Sequence, residues 1–205
     1  MIGRLPTTLV IDNNEYKIRT DYRIVLTIFE AFNDVELTDK DKMYVMLELL
    51  YEEIPTNLEE ALKQATWFLD GGKQYEEFNK TKKVMDWEQD ESIIFSAINK
   101  VAGCETREKE YIHWWTFLGY FSEIGEGLFS TVINIRQKKN KGKKLEKYEQ
   151  EFYRSNKQLI DLKEKYTAEE QAEIDRLNEL LNGRKWKNGL WWFIDVRYKN
   201  RFEWI

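Results

Sequence analysis

The sequence has a single cysteine, two prolines and ten glycines among its 205 residues. One cysteine, Cys104, excludes an intramolecular disulfide and is typical of a reducing compartment. Few prolines and glycines, with 15% aromatic residues, exclude a collagen-like, low-complexity or disordered chain. No apolar run approaches the ~20 residues that cross a bilayer, and residues 1–20 have no signal-peptide pattern. We therefore expect a soluble intracellular protein.

The net charge of −5 is unevenly distributed. Residues 1–135 hold 25 acidic and 14 basic side chains, whereas residues 136–147 hold seven basic and one acidic. DNA-binding domains are usually basic themselves, so this division favours a protein partner and no specific nucleic acid. The segment 136–147 is expected to be solvated. The alternative is phosphate binding, which would be non-specific because no aromatic residues are interleaved with the basic ones.

The first twenty residues contain the only convincing strand pattern. Thr8–Ile11 and Tyr16–Arg19 are rich in β-branched or aromatic residues, and Asp12-Asn13-Asn14 between them has turn chemistry. The pattern predicts a short β-hairpin.

Apolar residues then recur with a helical period. Thr38 and Asn57 are expected N-caps, and Gly71-Gly72 and Gly103 are expected helix ends. The pattern predicts a compact body of roughly six helices within residues 1–135.

The segment EYIHWWTFLGYF predicts the most aromatic helix of the chain, with Thr106 as its expected N-cap. Apolar side chains cover most of its circumference, so we expect it at the centre of a core or against a partner. Its candidate partner-binding residues are Trp114, Trp115, Phe117 and Phe121.

Beyond the basic segment, apolar residues alternate at spacings of three and four over about three heptads, which is typical of a coiled-coil seam. The residues on this seam are Leu145, Tyr148, Phe152, Ser155, Leu159, Leu162 and Tyr166. Leu145, Phe152 and Leu159 are further candidate partner contacts. A capping box at Thr167 restarts a helix, so the sequence predicts a helical hairpin. The returning helix or a second subunit would cover the seam, which leaves a homo-oligomer as an open alternative.

The expected fold class is therefore mainly α: a helical bundle with a short N-terminal β-hairpin and a C-terminal helical-hairpin arm. We expect three segments, namely a body of residues 1–135, an arm of residues 136–183 and a basic tail of residues 184–205. The tail has four tryptophans and no clear amphipathic period. It predicts a contact surface or an aggregation liability, and membrane attachment ranks last among the alternatives.

The chain contains none of the common phosphate-binding, zinc-protease or nucleophile-elbow motifs. One histidine and one cysteine cannot build an ordinary zinc site, and a Cys104–His113 dyad is disfavoured by their spacing. Carboxylate pairs such as Asp39/Asp41 and Asp90/Glu91 arise by chance among 37 acidic residues. We therefore expect no enzyme, metal or cofactor.

Two residues allow both a structural and a functional interpretation. His113 precedes two tryptophans, and a packed histidine is favoured over a ligand or pH switch. Arg136 ends an apolar stripe. The side chain either extends its guanidinium to solvent or binds a carboxylate of a partner, and both interpretations stay open.

The order of these features resembles a known family. Residues 5–183 are similar to small helical proteins that long-tailed bacteriophages and prophages encode just before the tape-measure gene. The resemblance is most specific at His113-Trp114-Trp115-x-Phe117, with Ile135-Arg136 about twenty residues later. Asp90 and Ile94 lie where the family has a similar helix, and the tail 184–205 lies outside the resemblance.

The resemblance implies a tail-assembly chaperone in the host cytoplasm. Such a protein would bind the tape-measure protein, keep it soluble, and help the tail tube protein to polymerise around it. The alternative is a structural virion component, such as a tail or head–tail connector subunit. Both alternatives concern a non-enzymatic protein of viral morphogenesis.

Overall fold

A computed structural model describes residues 3–73 and 82–183 of the chain, and side chains as far as residue 179. These residues form a β-hairpin, nine α-helices and one 3₁₀ turn, Thr106–Glu108. The elements are β1 Thr8–Ile11, β2 Asn14–Lys17, α1 Tyr22–Phe32, α2 Asp39–Leu50, α3 Leu58–Leu69, α4 Glu91–Ala102, α5 Trp114–Ser122, α6 Leu128–Asn140, α7 Lys147–Ser155, α8 Lys157–Ile160 and α9 Ala168–Gly183. The expected mainly α class with an N-terminal hairpin is confirmed. Six helices, α1 to α6, lie before residue 141, and α6 extends into the basic segment 136–147.

The hairpin turns more tightly than the sequence suggested. Ile11 pairs directly with Asn14, so only two residues, Asp12 and Asn13, form the turn. Both have positive φ angles, 50° and 63°, which suits the twist of a two-residue hairpin. The second strand therefore begins at Asn14 and not at Tyr16.

Local capping explains the start and end of several helices. Thr38 and Asp41 form a capping box at α2, and the Asn57 side chain accepts the amide of Glu60 at α3. Gly103 ends α4 with a φ of 69°. These three sequence predictions are confirmed.

One apolar core joins the hairpin to helices α1–α6 and to α8. Leu9 and Ile11 alternate inward from β1, which packs against α3. The largest side chains with no more than about 1% exposure are Trp114, Tyr22, Tyr51, Phe68, Phe117, Ile11, Ile28, Leu50, Ile94, Ile98, Ile135 and Ile160. Buried Tyr51 donates its hydroxyl to the carbonyl of Ala61 at 2.8 Å, which satisfies its one polar group.

The expected continuous heptad helix of residues 145–166 is interrupted. Helix α7 ends at Ser155, α8 is a single turn, and an irregular segment follows Ile160. Ile160 is fully buried and packs into the same core as the first six helices. Packing of residues 159–160 on the body therefore overrides the local period.

Two compact units are distinguished by their contacts, Met1–Lys165 and Tyr166–Ile205. The segment boundaries expected after residues 135 and 183 stay a prediction. In the second unit the capping box is confirmed, since the Glu170 amide bonds to the Thr167 hydroxyl oxygen and the Glu170 carboxylate accepts the Thr167 amide. The predicted Trp-rich tail, residues 184–205, lies outside the described residues.

Candidate functional site

The aromatic helix begins later than the sequence suggested. Helix α5 starts at Trp114, and the residue that caps it is His113, not Thr106. Thr106 instead donates its hydroxyl to Asn99 Oδ1 at 2.8 Å, at the start of the 3₁₀ turn. The expectation that Thr106 caps the aromatic helix was wrong, because the Asn99 side chain of α4 binds the Thr106 hydroxyl instead.

His113 acts as an N-cap inside the core. Its Nδ1 accepts the amide of Trp115 at 3.0 Å, and its Nε2 lies 2.9 Å from the carbonyl oxygen of Pro6. The ring is 3% exposed. With Nδ1 accepting, Nε2 carries the proton and donates to Pro6. Burial lowers the pKa of His113 and outweighs the opposite effect of the Pro6 carbonyl. The favoured interpretation as a packed histidine agrees with this position.

Two indole groups bind the end of α3. Trp114 Nε1 donates to the carbonyl oxygen of Leu69 and Trp115 Nε1 to that of Phe68, both at 2.9 Å. The last carbonyls of a helix have no partner within the helix. Trp114 therefore satisfies the Leu69 carbonyl, and Trp115 adds a second donor to the Phe68 carbonyl, which also accepts the Gly71 amide at 3.1 Å. Both bonds fix α5 against the end of α3.

Trp115 also packs on the turn that follows α3. A Cβ at Gly72, where φ is +81°, would lie 2.8 Å from the Trp115 ring. The Trp67 ring meets the Trp115 ring edge to face, with centroids 5.3 Å apart. Trp67, Trp115 and Leu118 are each half-buried, and we call these three residues the aromatic surface.

The opposite face of α5 lies in the core. Phe117 is fully buried and stacks on Tyr22 with ring centroids 4.3 Å apart. Trp114 is 1% exposed and packs against Phe117 and Phe29. Of the sequence-predicted contact residues, Trp114 and Phe117 are therefore enclosed by the chain itself.

Phe121 occupies an intermediate position at the end of the same helix. Its ring lies 5.3 Å from that of Trp87 and 5.7 Å from that of Phe129. The side chain is half-buried, so part of it reaches solvent. Phe121 and Trp115 are therefore the two aromatic side chains of the predicted contact set that stay partly accessible on α5.

Arg136 takes neither of its two expected positions. It is 4% exposed and forms a bidentate ion pair with Asp90, with distances of 2.5 and 2.8 Å. Its remaining donors bind the carbonyl oxygens of Val84, Leu159 and Ile160. Its guanidinium therefore pairs with a carboxylate of its own chain.

Asp90 is the partner that sequence reasoning placed among chance surface carboxylates. It is 0% exposed, and its Oδ2 also accepts the amide of Asp86 at 3.0 Å. The pair connects the start of α4 to α6 and to the end of α8. The resemblance named Asp90, but no local pattern could have paired it with Arg136.

The three candidates from the heptad pattern lie on the body. Leu145, Phe152 and Leu159 are half-buried and pack against the core. The basic segment beside them is engaged as well. Lys138 bonds to both carboxylate oxygens of buried Glu149 at 2.7 and 2.8 Å.

Lys139 joins a second polar group on the same face. It bonds to Asp161, and its Nζ lies 4.0 Å from the ring centroid of Tyr153. Asp161 in turn accepts the Tyr153 hydroxyl at 2.8 Å. Part of the basic segment therefore serves as internal ion pairs.

Other chemistry-bearing residues are occupied or isolated. Asp41 belongs to the capping box, and the Thr38 hydroxyl lowers the pKa of its carboxyl group. Cys104 is half-buried as a free thiol.

Across residues 3–73 and 82–183, no group of three or more His, Cys, Asp or Glu side chains is arranged to hold a metal ion. None of the helices in the described part of the chain is long and apolar enough to cross a membrane.

Comparison with known proteins gave one family. A family model described as bacteriophage Gp15 protein matches residues 1–162. Searches of curated proteins and of solved structures gave no match. The matched range includes the aromatic surface, the Asp90–Arg136 pair and the three heptad candidates Leu145, Phe152 and Leu159.

Proposed function

Because the chain belongs to the bacteriophage Gp15 protein family, we propose that it is a tail-assembly chaperone. It binds the tape-measure protein in the host cytoplasm and keeps it soluble while the tail tube protein polymerises around it. The activity is non-enzymatic and needs no cofactor. The family membership supports a role in phage biology, and the aromatic surface carries the finer proposal.

The aromatic surface suits capture of a helix. A tape-measure protein is a long helical chain with apolar stripes, and such stripes dock on aromatic-lined acceptor surfaces. Trp67, Trp115 and Leu118 offer apolar area that is partly accessible. Trp115 provides a large contact area with few rotatable bonds, which is why tryptophan is frequent at the centres of interfaces.

The surface is held in place before a partner arrives. The Trp115 indole is fixed by the Phe68 carbonyl, by the Trp67 ring and by the glycine turn beneath it. A rigid acceptor loses little conformational entropy on binding. Pre-organisation of this kind favours the binding of many similar apolar segments along a repetitive chain.

The charge distribution supports the same role. Residues 1–135 hold 25 acidic and 14 basic side chains, so the body that presents the aromatic surface is strongly acidic. Like-charged bodies bound along one tape-measure chain would repel one another and keep the complex dispersed.

Analysis of phage particles tests this proposal against a structural role. A chaperone is absent from purified virions, although infected cells contain it and need it to form tails. Quantitative mass spectrometry of particles purified by density gradient is therefore expected to find major capsid and tail tube protein but not this chain. Its presence at fixed stoichiometry would overturn the chaperone proposal and establish a virion component, such as a tail or head–tail connector subunit.

A further inference from the structure

Helix α5 contains a glycine that its own fold does not require. Gly119 is exposed in the second half of the helix, and a Cβ built there meets no atom of the described residues within 4 Å. Its φ lies outside the left-handed region. Glycine in a helix interior is less favourable than alanine, and neither the backbone conformation nor packing against residues 3–73 and 82–183 explains its presence here.

The same helix ends on an unfavourable charge. Glu123 is the C-cap of α5, where the helix dipole disfavours a carboxylate. It is exposed, and the ion pairs of the described residues do not include it. The sequence from residue 110 to residue 135 has no lysine or arginine. This carboxylate therefore has no evident purpose within α5.

Both residues share a face of α5 with Trp115. The three positions are four residues apart, so their side chains follow one another along the helix. Trp115 is half-buried, and Gly119 and Glu123 are exposed. At 1.5 Å per residue, the face runs ~12 Å from Trp115 to Glu123. We call these three residues the α5 docking face.

We propose that the α5 docking face receives one helix of a partner protein, and that this helix has an apolar stripe and a lysine or arginine about two turns away from its central apolar contact. Gly119 lets the partner backbone approach closely, Trp115 covers the apolar stripe, and Glu123 pairs with the cation. An unfavourable helix residue and an unfavourable helix-end charge on the same face are typical of a functional surface. The inference rests on the proposed function, because it specifies the chemistry of the tape-measure segment that is bound.

Substitutions at Gly119 separate binding from folding. Gly119→Ala and Gly119→Leu project into open space and improve helix propensity, so the melting temperature of the full chain is expected to stay equal or rise. The affinity for the partner helix is expected to fall modestly in Gly119→Ala and at least tenfold in Gly119→Leu. If the melting temperature and the affinity both fall, Gly119 is needed for the fold and the inference is overturned.

Charge reversal tests the cation. The probes are two fluorescently labelled synthetic helical peptides with one leucine stripe, ending in lysines in one case and in glutamates in the other. The wild-type chain is expected to bind the lysine peptide at least tenfold more tightly, and Glu123→Lys should reverse this preference. Glu151→Lys, an exposed reversal on α7, is the matched control and should leave the preference unchanged. No binding of either peptide, or equal effects of both reversals, would overturn the inference.

A parallel arm with the tape-measure protein of the same phage distinguishes the two proposals. If the wild type solubilises it and Gly119→Leu does so equally well, the docking face is wrong and the chaperone proposal stands. If the wild type fails to bind it but binds the lysine peptide through Glu123, the docking face stands and the chaperone proposal falls. If the wild type is a dimer that Gly119→Leu makes monomeric, a second copy occupies the face and the inference is overturned.

Discussion

Arg136 on α6 and Asp90 at the start of α4 lie 46 residues apart in sequence and form a buried, bidentate ion pair. Arg136 also donates to the carbonyl oxygens of Leu159 and Ile160, so it attaches α8 to the body. The family match ends at residue 162, two residues beyond this attachment. The Asp90–Arg136 pair thus holds α8, the last helix of the matched range, on the structural unit that carries the aromatic surface.

Removal of one partner from this pair should strongly destabilise the protein. Arg136→Met leaves a buried carboxylate unpaired and three carbonyl groups without their donor, at an expected cost of about 3–5 kcal/mol. Urea unfolding followed by circular dichroism measures this cost. Arg107→Met breaks the exposed pair with Glu105 and serves as control, with a much smaller expected cost because exposed ion pairs contribute little to stability. Similar costs for both variants would contradict the assigned role of Arg136.

Gly72 and Gly103 provide a matched pair of glycines. Both have positive φ angles, but a Cβ at Gly72 meets the Trp115 ring at 2.8 Å, whereas one at Gly103 meets none of the residues that the structure describes within 4 Å. Gly103→Ala should cost about 1–2 kcal/mol in free energy of unfolding from backbone strain alone. Gly72→Ala should cost a further 1–3 kcal/mol or so, because the ring must move. Equal costs in urea unfolding would show that Trp115 does not pack on this turn as described.

The stability of the protein should depend on pH through His113. Burial lowers its pKa in the folded state below the ordinary value of 6.5, so the unfolded chain takes up the proton first. Stability is then fully present above pH 6.5 and is lost as the pH falls below that value. Protonation also removes the Nδ1 acceptor that caps α5.

Thermal unfolding between pH 7.5 and pH 5.5 checks this, because His113 is the only histidine of the chain. The wild-type melting temperature should fall over this interval. His113→Asn keeps an N-cap acceptor and does not titrate, so its melting temperature should change less. Parallel curves for the two proteins would rule out His113 as the titrating group.

Features encoded within a few residues could be predicted from the sequence. The caps at Thr38 and Asn57 and the end at Gly103 follow from local chemistry. Thr106 was misassigned because its hydroxyl bonds to Asn99 on another helix. The heptad seam was broken for a similar reason, since Arg136 binds the backbone of residues 159 and 160.

The candidate site was predicted only in part. The aromatic segment identified α5, but periodicity could not divide its faces, because nearly every residue there is apolar or small. The structure encloses Trp114 and Phe117 and leaves Trp115 and Phe121 half-buried. Trp67 was missed since its contact with Trp115 joins two helices that are distant in sequence.

Co-expression with the tape-measure protein of the same phage tests the central proposal most directly. The measurement is the soluble fraction of that protein, and its co-elution with this chain in size-exclusion chromatography, with and without the chain. We expect a several-fold rise in soluble tape-measure protein and a shared elution peak. An insoluble tape-measure protein in both conditions, with this chain eluting alone, would contradict the chaperone function.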